Sequence, residues 1–228
     1  MLLVGDIGGT NTRLALYDYN EKIKQIIEHR FLSSNFDSLN SAIDFFLKEF
    51  GNNKDIKAAS FGVAGPVKDG ACNATNIPWV VDVNDLKKKL KIENFYLLND
   101  LQANAYGINL LKEEEFFVIN KGKKVEGNSC VVAAGTGLGE AGIYFDGKKN
   151  IPFATEGGHA DFAPRNDIEI DLLKYLQKKY GHVSYERILS GMGINNLYRF
   201  LVDVKKVKIE KKLDEEIKNS KEPQVLIT

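Results

Sequence analysis

The sequence contains very little cysteine, histidine or net charge. Its 228 residues include two cysteines and three histidines, and 31 basic side chains balance 31 acidic ones. A chain without net charge has no long-range field that would attract a polyanion, so we expect neither nucleic acid nor an anionic membrane as a partner. Cys72 and Cys130 form no metal-binding spacing and no disulfide framework. So few thiols predict a protein of the reducing cytoplasm.

Long apolar runs are missing as well. No stretch approaches the length of a membrane span. The apolar start of the chain is interrupted at Asp6 and has no basic segment before it, so we expect no signal peptide. Hydrophobic residues make up 43% of the chain and charged residues 27%, proportions that are typical of a globular protein with a sizeable core.

Strand-like and helix-like segments alternate along the chain, and this alternation predicts layered α/β structure. Segments 37–51 and 166–181 carry apolar residues at helical spacing, and Asp37 is predicted to cap the first of these helices. A domain boundary is predicted near residues 107–115, which gives domains 1–110 and 111–228. The Lys- and Glu-rich segment 205–221 is predicted to be a solvated helix or loop.

A small polar turn, Asp6-Ile7-Gly8-Gly9-Thr10-Asn11-Thr12, separates two apolar runs near the start of the chain. This pattern predicts a β-hairpin, and one interpretation is a tight turn with no further role. The residue types favour a second interpretation, because Gly8 and Gly9 let a ligand approach the backbone and consecutive N–H groups in such a turn bind anions. Asp6 would suit such a site only if Mg²⁺ lay between its carboxylate and the anion.

The same turn chemistry returns at Gly135-Thr136-Gly137. When Gly9-Thr10 is aligned with Gly135-Thr136, Ala15 aligns with Ala141, and both turns follow one apolar strand and precede another. We interpret this as two duplicated halves that face a shared cleft, each contributing one turn to a polyphosphate. Chance similarity of two short turns is the alternative.

Two polar residues, Asn99 and Asp100, end a buried strand at the point where a helix begins. Asp is a strong helix N-cap, so a purely structural role is one interpretation. The other is a general base, because ligands of open α/β sheets bind at the carboxyl ends of the strands. Such a carboxylate can accept the proton of a hydroxyl nucleophile, and Asn99 can bind a neighbouring hydroxyl.

Further candidate ligands lie in the segment TEGGHADFAP (155–164), which supplies Glu156 and His159. A helical Glu-x-x-His metal site is disfavoured, because Gly157-Gly158 makes a helix improbable and the chain has few other His and Cys ligands. A surface loop is one alternative. An acid and an imidazole on a tight turn suit a polyol, whose hydroxyl groups both donate and accept hydrogen bonds.

Two other segments supply polar groups. Glu186 in YERILSG is either a further acceptor or part of the first turn of a helix. TNIPW contributes Asn76 and the single tryptophan, Trp79, for which a packed loop aromatic is the favoured interpretation.

Seven motifs occur in the order found in bacterial-type glucokinases, which belong to the sugar kinase, actin and heat-shock ATPase superfamily. The resemblance covers residues 2 to about 201 and rests on VGDIGGTNTRLALYD, FGVAGPV, TNIPW, LLNDLQANAYG, AAGTGLGEAGI, EGGHADFAP and YERILSG. It implies a two-domain ribonuclease H-like (actin-like ATPase) fold with mixed β-sheets flanked by helices. It also implies transfer of the γ-phosphoryl group of ATP to the 6-hydroxyl of glucose, with Mg²⁺ as cofactor.

The resemblance assigns a role to each candidate residue. Asp100 resembles the catalytic base, and Asp6 resembles the acid near Mg²⁺. The implied ligands of the sugar are Asn76, Asn99, Asp100, Glu156, His159 and Glu186. The implied phosphate turns consist of Gly8, Gly9, Thr10 and Asn11 and of Gly135, Thr136 and Gly137.

The sequence departs from the family pattern in two respects. It lacks the cysteine-rich zinc motif of the related regulator-and-kinase group. This absence favours the glucokinase branch and predicts that the protein binds no zinc. It also lacks the glycine-rich adenosine-binding segment that family members carry after this region, so we expect the second domain to be incomplete. The missing segment leaves a sugar-binding remnant without catalysis as one alternative. A kinase for another hexose is a second, because the predicted contacts are directed at hydroxyl groups in general. A homodimer is compatible with the sequence.

Overall fold

The structure, a computed structural model, describes residues 1–20, 22–51, 55–74, 77–123 and 125–228. It divides into two compact units, one formed by Met1–Gly127 with Tyr144–Ala154 and the other by Asn128–Ile143 with Thr155–Thr228. Both units contain strands and helices, so the α/β class is confirmed. The smaller N-terminal domain 1–110 and the larger, partial C-terminal domain 111–228 stay a prediction.

The first unit is built around a mixed β-sheet. Its elements are β1 (Leu2–Ile7), β2 (Asn11–Asp18), β3 (Lys24–Leu32), α1 (Leu39–Phe50), β4 (Ala58–Val63), β5 (Ala71–Asn73), β6 (Val80–Asp82), α2 (Val83–Leu90), β7 (Asn94–Asn99) and α3 (Asp100–Ile108). The main sheet has the strand order β3-β2-β1-β4-β7, and β5 pairs with β6 separately. β2 is antiparallel to β1 and β3, whereas β4 is parallel to β1 and β7.

Apolar side chains at every second position of the central strands form the core of this unit. Leu3 and Ile7 on β1 and Phe61 on β4 have no exposed surface. Ile43 and Phe46, which share one face of α1, belong to the same buried cluster. The two-residue period of the strands and the 3.6-residue period of the helix therefore direct their apolar side chains into one layer.

The N-terminal cap of α1 differs from the prediction. Ser38 caps the helix, because its Oγ accepts a hydrogen bond from the backbone N–H of Ser41 at 3.2 Å. Ser41 returns the contact, since its own hydroxyl oxygen accepts the N–H of Ser38 at 3.2 Å and so completes a capping box. The prediction of an Asp37 cap is wrong, because the helix begins at Leu39 and the reciprocal serine pair satisfies its free N–H groups.

The second unit combines strands with helices. It contains β8 (Ser129–Ala134), most of β9 (Leu138–Phe145) and only the last residue of β10 (Asn150–Thr155), whose remainder belongs to the first unit. Its helices are α4 (Asp167–Tyr180), α5 (Gly191–Asp203), α6 (Lys211–Asn219) and α7 (Pro223–Ile227). The sheet order is β10-β9-β8, and the division between the units falls within β9 and β10. Its core is a buried cluster formed by Leu172, Leu176, Val183, Ile188 and Phe200.

Both glycine turns join the strands of antiparallel hairpins, as the repeat predicts: one joins β1 to β2 and the other joins β8 to β9. The similarity ends at the next strand. β1 also pairs with β4, and its Leu3 is fully buried. β8 lies at the edge of its sheet, where Val132 is 58% exposed. Neighbouring strands, rather than the hairpin sequence, therefore set the burial of these apolar side chains.

The Lys- and Glu-rich segment contains α6, which is exposed over most of its surface but buries Ile217. Asp214 on this helix accepts hydrogen bonds from Tyr198 Oη at 3.0 Å and from Arg199 Nη1 at 2.7 Å. Hydrogen bonds from Lys218 and Arg199 lower the pKa of Asp214 to about 2. The segment is thus tied to α5 rather than fully solvated. Across the described ranges, no helix is long and apolar enough to span a membrane.

Replacing Phe61 by alanine tests the core of the first unit. Phe61 is fully buried and packs against the ring of Phe95, with the centroids 5.1 Å apart. We expect Phe61→Ala to lower the free energy of unfolding by about 3–5 kcal/mol, because the change removes buried apolar area and leaves a cavity. Denaturant unfolding followed by circular dichroism measures the loss. Phe117→Ala is the matched control, since Phe117 is 91% exposed, and equal losses in the two variants would contradict the assignment of the core.

Candidate active site

A cleft of about 620 Å³ on the first unit collects several polar side chains, including Asp6, Arg13, Asp100 and Asn104. Asp6 lies near the C-terminal end of β1, and Asp100 follows the C-terminal end of β7. Since these strands are both parallel to β4, their carboxyl ends meet at one edge of the sheet. The structure therefore brings together two carboxylates that are far apart in the sequence, at the edge where ligands of open α/β sheets bind.

Arg13 adds a positive charge to the same cleft, although it is not among the predicted site residues. Its Cα is the register partner of Asp6 across β1 and β2, and its Nε lies 3.5 Å from Glu28 Oε1. The ion pair is too exposed to contribute much stability. The sequence did contain the signal, because alternation in a hairpin places Arg13 on the same face as Asp6.

The end of β7 separates the roles of Asn99 and Asp100. Asn99 caps α3, because its Oδ1 accepts the N–H groups of Leu101 at 3.0 Å and of Gln102 at 3.3 Å. Its Nδ2 donates to the carbonyl oxygen of Gly65 at 3.2 Å. Asp100 is the first residue of α3 rather than its cap, although its Oδ1 also accepts the N–H of Leu101, at 2.8 Å.

The environment of Asp100 favours its protonated form. Partial burial is the main cause that raises the pKa of this carboxyl above its ordinary value, and repulsion from the carboxylate of Asp6 acts in the same direction. Hydrogen bonds, chiefly from the N–H of Leu101, oppose the shift. A carboxylate whose pKa is moved toward neutrality is a stronger base than an exposed aspartate.

The turn at Gly8–Asn11 is held by Ser33, which the sequence analysis missed, with support from Thr12. Ser33 donates from its Oγ to the carbonyl oxygen of Gly8 at 2.7 Å, and its own N–H donates to the carbonyl oxygen of Thr10 at 3.0 Å. Thr12 Oγ1 lies 2.9 Å from Ser33 Oγ, and both side chains are fully buried. Gly8 tolerates no side chain, because a Cβ there would lie 2.9 Å from the carbonyl oxygen of Asn11. These contacts tie the turn to the segment that carries Ser33.

Asn76 lies outside the described residues, so its place in the structure stays open. Trp79, from the same segment, is buried and donates from its Nε1 to the carbonyl oxygen of Phe36 at 3.1 Å. The predicted packed aromatic is thus confirmed.

The second unit brings together Glu156, His159 and Glu186. Nε2 of His159 lies 3.7 Å from Glu156 Oε2, and Nδ1 lies 3.9 Å from Glu186 Oε1. The imidazole is 60% exposed, whereas the Glu186 side chain is only 20% exposed. Two carboxylates on either side of an open imidazole present acceptors and a donor to the same space, which suits a ligand with several hydroxyl groups.

Glycines hold the His159 turn close to β9. Residues Gly157–His159 form a single 3₁₀ turn rather than an α-helix. A Cβ at Gly158 would collide with the carbonyl oxygen of Leu138, and one at Gly157 would collide with Glu140 Oε2. The Glu140 side chain can move away, but the backbone of Leu138 cannot, so it is at Gly158 that the close approach of the turn to the strand requires glycine.

The turn at Gly135–Gly137 contacts Glu186 directly. Glu186 Oε2 accepts the N–H of Leu138, the residue after the turn, at 3.1 Å. A Cβ at Gly137 would lie 2.6 Å from the same oxygen. The N–H of Gly191 donates to the carbonyl oxygen of Gly135 at 2.8 Å. The glycine turn and the Glu186 carboxylate therefore form one connected structure.

Comparison with known proteins decides the family. Residues 3–224 match the family model described as Glucokinase. The chain belongs to the glucokinase family. It is 39% identical over 210 residues to the glucokinase of Trichormus variabilis, an alignment that covers 90% of this chain and 61% of that protein. It is 36% identical over 218 residues to the glucokinase of Escherichia coli K12, covering 95% of this chain and 65% of that protein.

A solved structure supports the same conclusion. The crystal structure of a glucokinase from an Antarctic psychrotroph superimposes with a TM-score of 0.78 and 29% identity, covering 99% of this chain and 73% of that one. The ribonuclease H-like (actin-like ATPase) fold expected from the sequence is confirmed. The chain spans 61% to 65% of the length of the curated relatives named above.

The raised pKa of Asp100 makes a prediction about stability. A group whose pKa is raised by folding stabilises the folded state below its unfolded pKa, and that contribution is lost as the pH rises through the folded pKa. Ionised Asp100 therefore opposes folding at neutral pH. We expect Asp100→Asn to raise the melting temperature at neutral pH and the gain to vanish in acid, where Asp100 is protonated.

Thermal unfolding measured across the pH range tests this expectation. Asp37→Asn is the control, because Asp37 is an exposed aspartate before α1 that does not cap the helix. A melting temperature of Asp100→Asn that is lower than that of the parent at neutral pH would show that the carboxylate is stabilised, not destabilised, by its surroundings.

Proposed function

We propose that this protein is an ATP-dependent glucokinase, which transfers the γ-phosphoryl group of ATP to the 6-hydroxyl of glucose and forms glucose 6-phosphate and ADP. Membership of the glucokinase family supports the reaction class. The observation that carries the chemical assignment is the position of Asp100, which follows a strand end, lines the cleft beside Asp6, is not the cap of α3 and has a raised pKa.

Asp100 is the proposed general base. The 6-hydroxyl oxygen of the sugar forms a bond to the γ-phosphorus, the bond from that phosphorus to the bridging oxygen of ADP breaks, and the hydroxyl proton goes to the Asp100 carboxylate. Phosphoryl transfer depends mainly on positioning and charge compensation, so a correctly placed carboxylate need only orient the hydroxyl and accept its proton.

The glycine turns are the proposed phosphate-binding elements. Gly8, Gly9, Thr10 and Asn11 form one turn, and Gly135, Thr136 and Gly137 form the other. The N–H groups of Gly8 and Gly135 donate within their own turns, to the carbonyl oxygens of Asn11 and Gly137, so the other N–H groups are the proposed anion donors. Buried Ser33 and Thr12 hold the first turn in place. Donors fixed in advance stabilise developing charge without a reorganisation cost.

Asp6 fits the Mg²⁺ that this reaction requires. No group of three or more His, Cys, Asp or Glu side chains among the described residues could hold a metal ion by itself. Mg²⁺ commonly takes only one or two protein carboxylates and completes its shell with water and substrate phosphates, so Asp6 in the cleft is sufficient. When bound, the ion would neutralise phosphate charge, and Arg13 offers a second positive charge in that cleft.

Glu156, His159 and Glu186 are the proposed sugar ligands on the second unit. Their acceptors and imidazole donor match the hydroxyl groups of a hexose. Asn76 and Asn99 are proposed with them by resemblance to the family. The amide of Asn99 already caps α3 and binds Gly65, so any contact with a sugar is additional to those bonds. Glucose and ATP are thus the proposed partners, and the cytoplasm, which supplies both, is the proposed location.

Replacing the proposed base tests this function. We expect Asp100→Asn to reduce the rate of glucose 6-phosphate formation by about 10²–10⁴-fold, because the hydroxyl loses its proton acceptor. A dehydrogenase-coupled assay measures the product, and calorimetry measures glucose binding, which should persist. Asp37→Asn should leave both unchanged.

The same experiment separates the alternatives. Full turnover by Asp100→Asn would remove Asp100 from the role of base. Glucose binding by the parent chain without any product would favour the sugar-binding alternative. Faster turnover with mannose or an N-acetylhexosamine than with glucose would favour a kinase for another hexose.

A further inference from the structure

The short turn that carries Glu186 is anchored to α5 through its backbone. Ser190 donates from its Oγ to the carbonyl oxygen of Glu186 at 2.6 Å, and the same oxygen atom of Ser190 accepts the N–H of Gly193 at 3.0 Å as the cap of α5. One turn further along α5, the Nδ2 of Asn196 donates to the carbonyl oxygen of Arg187 at 2.8 Å. Two consecutive carbonyl groups, those of Glu186 and Arg187, are therefore held by side chains of one helix end.

The amide of Asn196 has its orientation imposed by its partners. Asn196 is only 1% exposed. Its Oδ1 lies 2.9 Å from Tyr180 Oη and 3.2 Å from Lys179 Nζ. The ammonium group of Lys179 can only donate and the carbonyl group of Arg187 can only accept, so the amide oxygen must face Lys179 and the amide nitrogen must face Arg187. A buried group with all these partners resists any rotation of the turn.

The carboxylate of Glu186 is fixed at its other end as well. Glu186 Oε2 accepts the N–H of Leu138 at 3.1 Å, while Oε1 is directed toward the imidazole of His159, 3.9 Å away. One oxygen is thus engaged by the protein, and the other remains beside the exposed histidine. With the backbone held by α5 and one oxygen held by β9, the position of the second oxygen is largely predetermined.

We propose that Asn196, together with Ser190, positions Glu186 for a sugar hydroxyl. Neither side chain touches the sugar in this proposal; both act through the backbone of the turn. The proposal rests on the proposed function, because it takes Glu186 as a ligand of glucose. Preorganisation of this kind lowers the entropy lost on binding, so its removal weakens the affinity for the sugar.

The substitution Asn196→Asp removes only the hydrogen-bond donor that Asn196 directs to the carbonyl oxygen of Arg187. Aspartate has nearly the same shape and keeps an acceptor for Tyr180 and Lys179, but it cannot donate to the carbonyl oxygen of Arg187. Tyr180→Phe is the matched control, since it damages the same network and leaves the bond from Asn196 to Arg187 intact. We expect Asn196→Asp to weaken glucose binding about tenfold in calorimetry and Tyr180→Phe to leave it unchanged, although both lower the melting temperature.

A double-mutant cycle distinguishes positioning from a general loss of structure. If Asn196 acts through Glu186, Asn196→Asp should weaken glucose binding much less in a Glu186→Gln background than in the parent. Independent, multiplicative losses would overturn the proposal. Should Asn196→Asp fail to fold, Ser190→Gly serves the same purpose, because glycine is a tolerated N-cap while the bond to the Glu186 carbonyl is lost.

The possible results separate the proposal from the function on which it rests. No glucose binding by the parent chain would overturn the proposed function and this inference together. Glucose binding by the parent with an equal affinity in Asn196→Asp would overturn the inference alone. Equal losses in Asn196→Asp and Tyr180→Phe would assign both residues to the stability of the fold.

Discussion

The hydrogen bonds of the Asn99 side chain are the interaction on which the candidate base depends. The first turn of α3 has free N–H groups, and a capping side chain must accept them where the strand turns into the helix. Asn99 supplies that acceptor and also binds Gly65, which ties the strand end to the neighbouring loop. Asp100 can then remain a partly buried carboxylate in the cleft beside Asp6. If Asp100 were the cap, both the position and the charge of its carboxylate would be fixed by the N–H groups of the helix.

In both units, polar side chains support a glycine turn. Ser33 donates to the carbonyl oxygen of Gly8 in the first turn, and Thr12 binds Ser33. Glu186 supports the second turn through Leu138, and Ser190 and Asn196 in turn hold the backbone beneath Glu186. Glycine makes a close backbone approach possible but also makes a turn flexible, so additional hydrogen bonds are needed to give it a single conformation. The two hairpins thus use different residues to meet the same requirement.

The sequence predicted the elements better than their contacts. The amphipathic pattern placed a helix near residues 37–51, yet the cap is Ser38, because a reciprocal serine pair competes successfully with Asp37. The hairpin around Gly8 was predictable from apolar alternation, but its anchor Ser33 was not, since no local pattern indicates which serine will lie under a turn. The place of Arg13 beside Asp6 was recoverable from strand register, although Arg13 is not among the predicted site residues. Ile217 is buried by packing within the folded protein, and the charged residues around it in the sequence gave no sign of that packing.

By itself, the sequence determined the α/β class, the two glycine hairpins and the family, because these depend on local periodicity and on the order of short motifs. Only the tertiary structure decided that Asn99 rather than Asp100 caps α3, that Asp6 and Asp100 share a cleft, and that Asn196 supports the turn of Glu186. Each of these facts depends on groups that are distant along the chain and meet only after strands pair and helices pack. Hydrogen bonding and the pKa of a carboxyl respond to that final environment, which the spacing of residues does not contain.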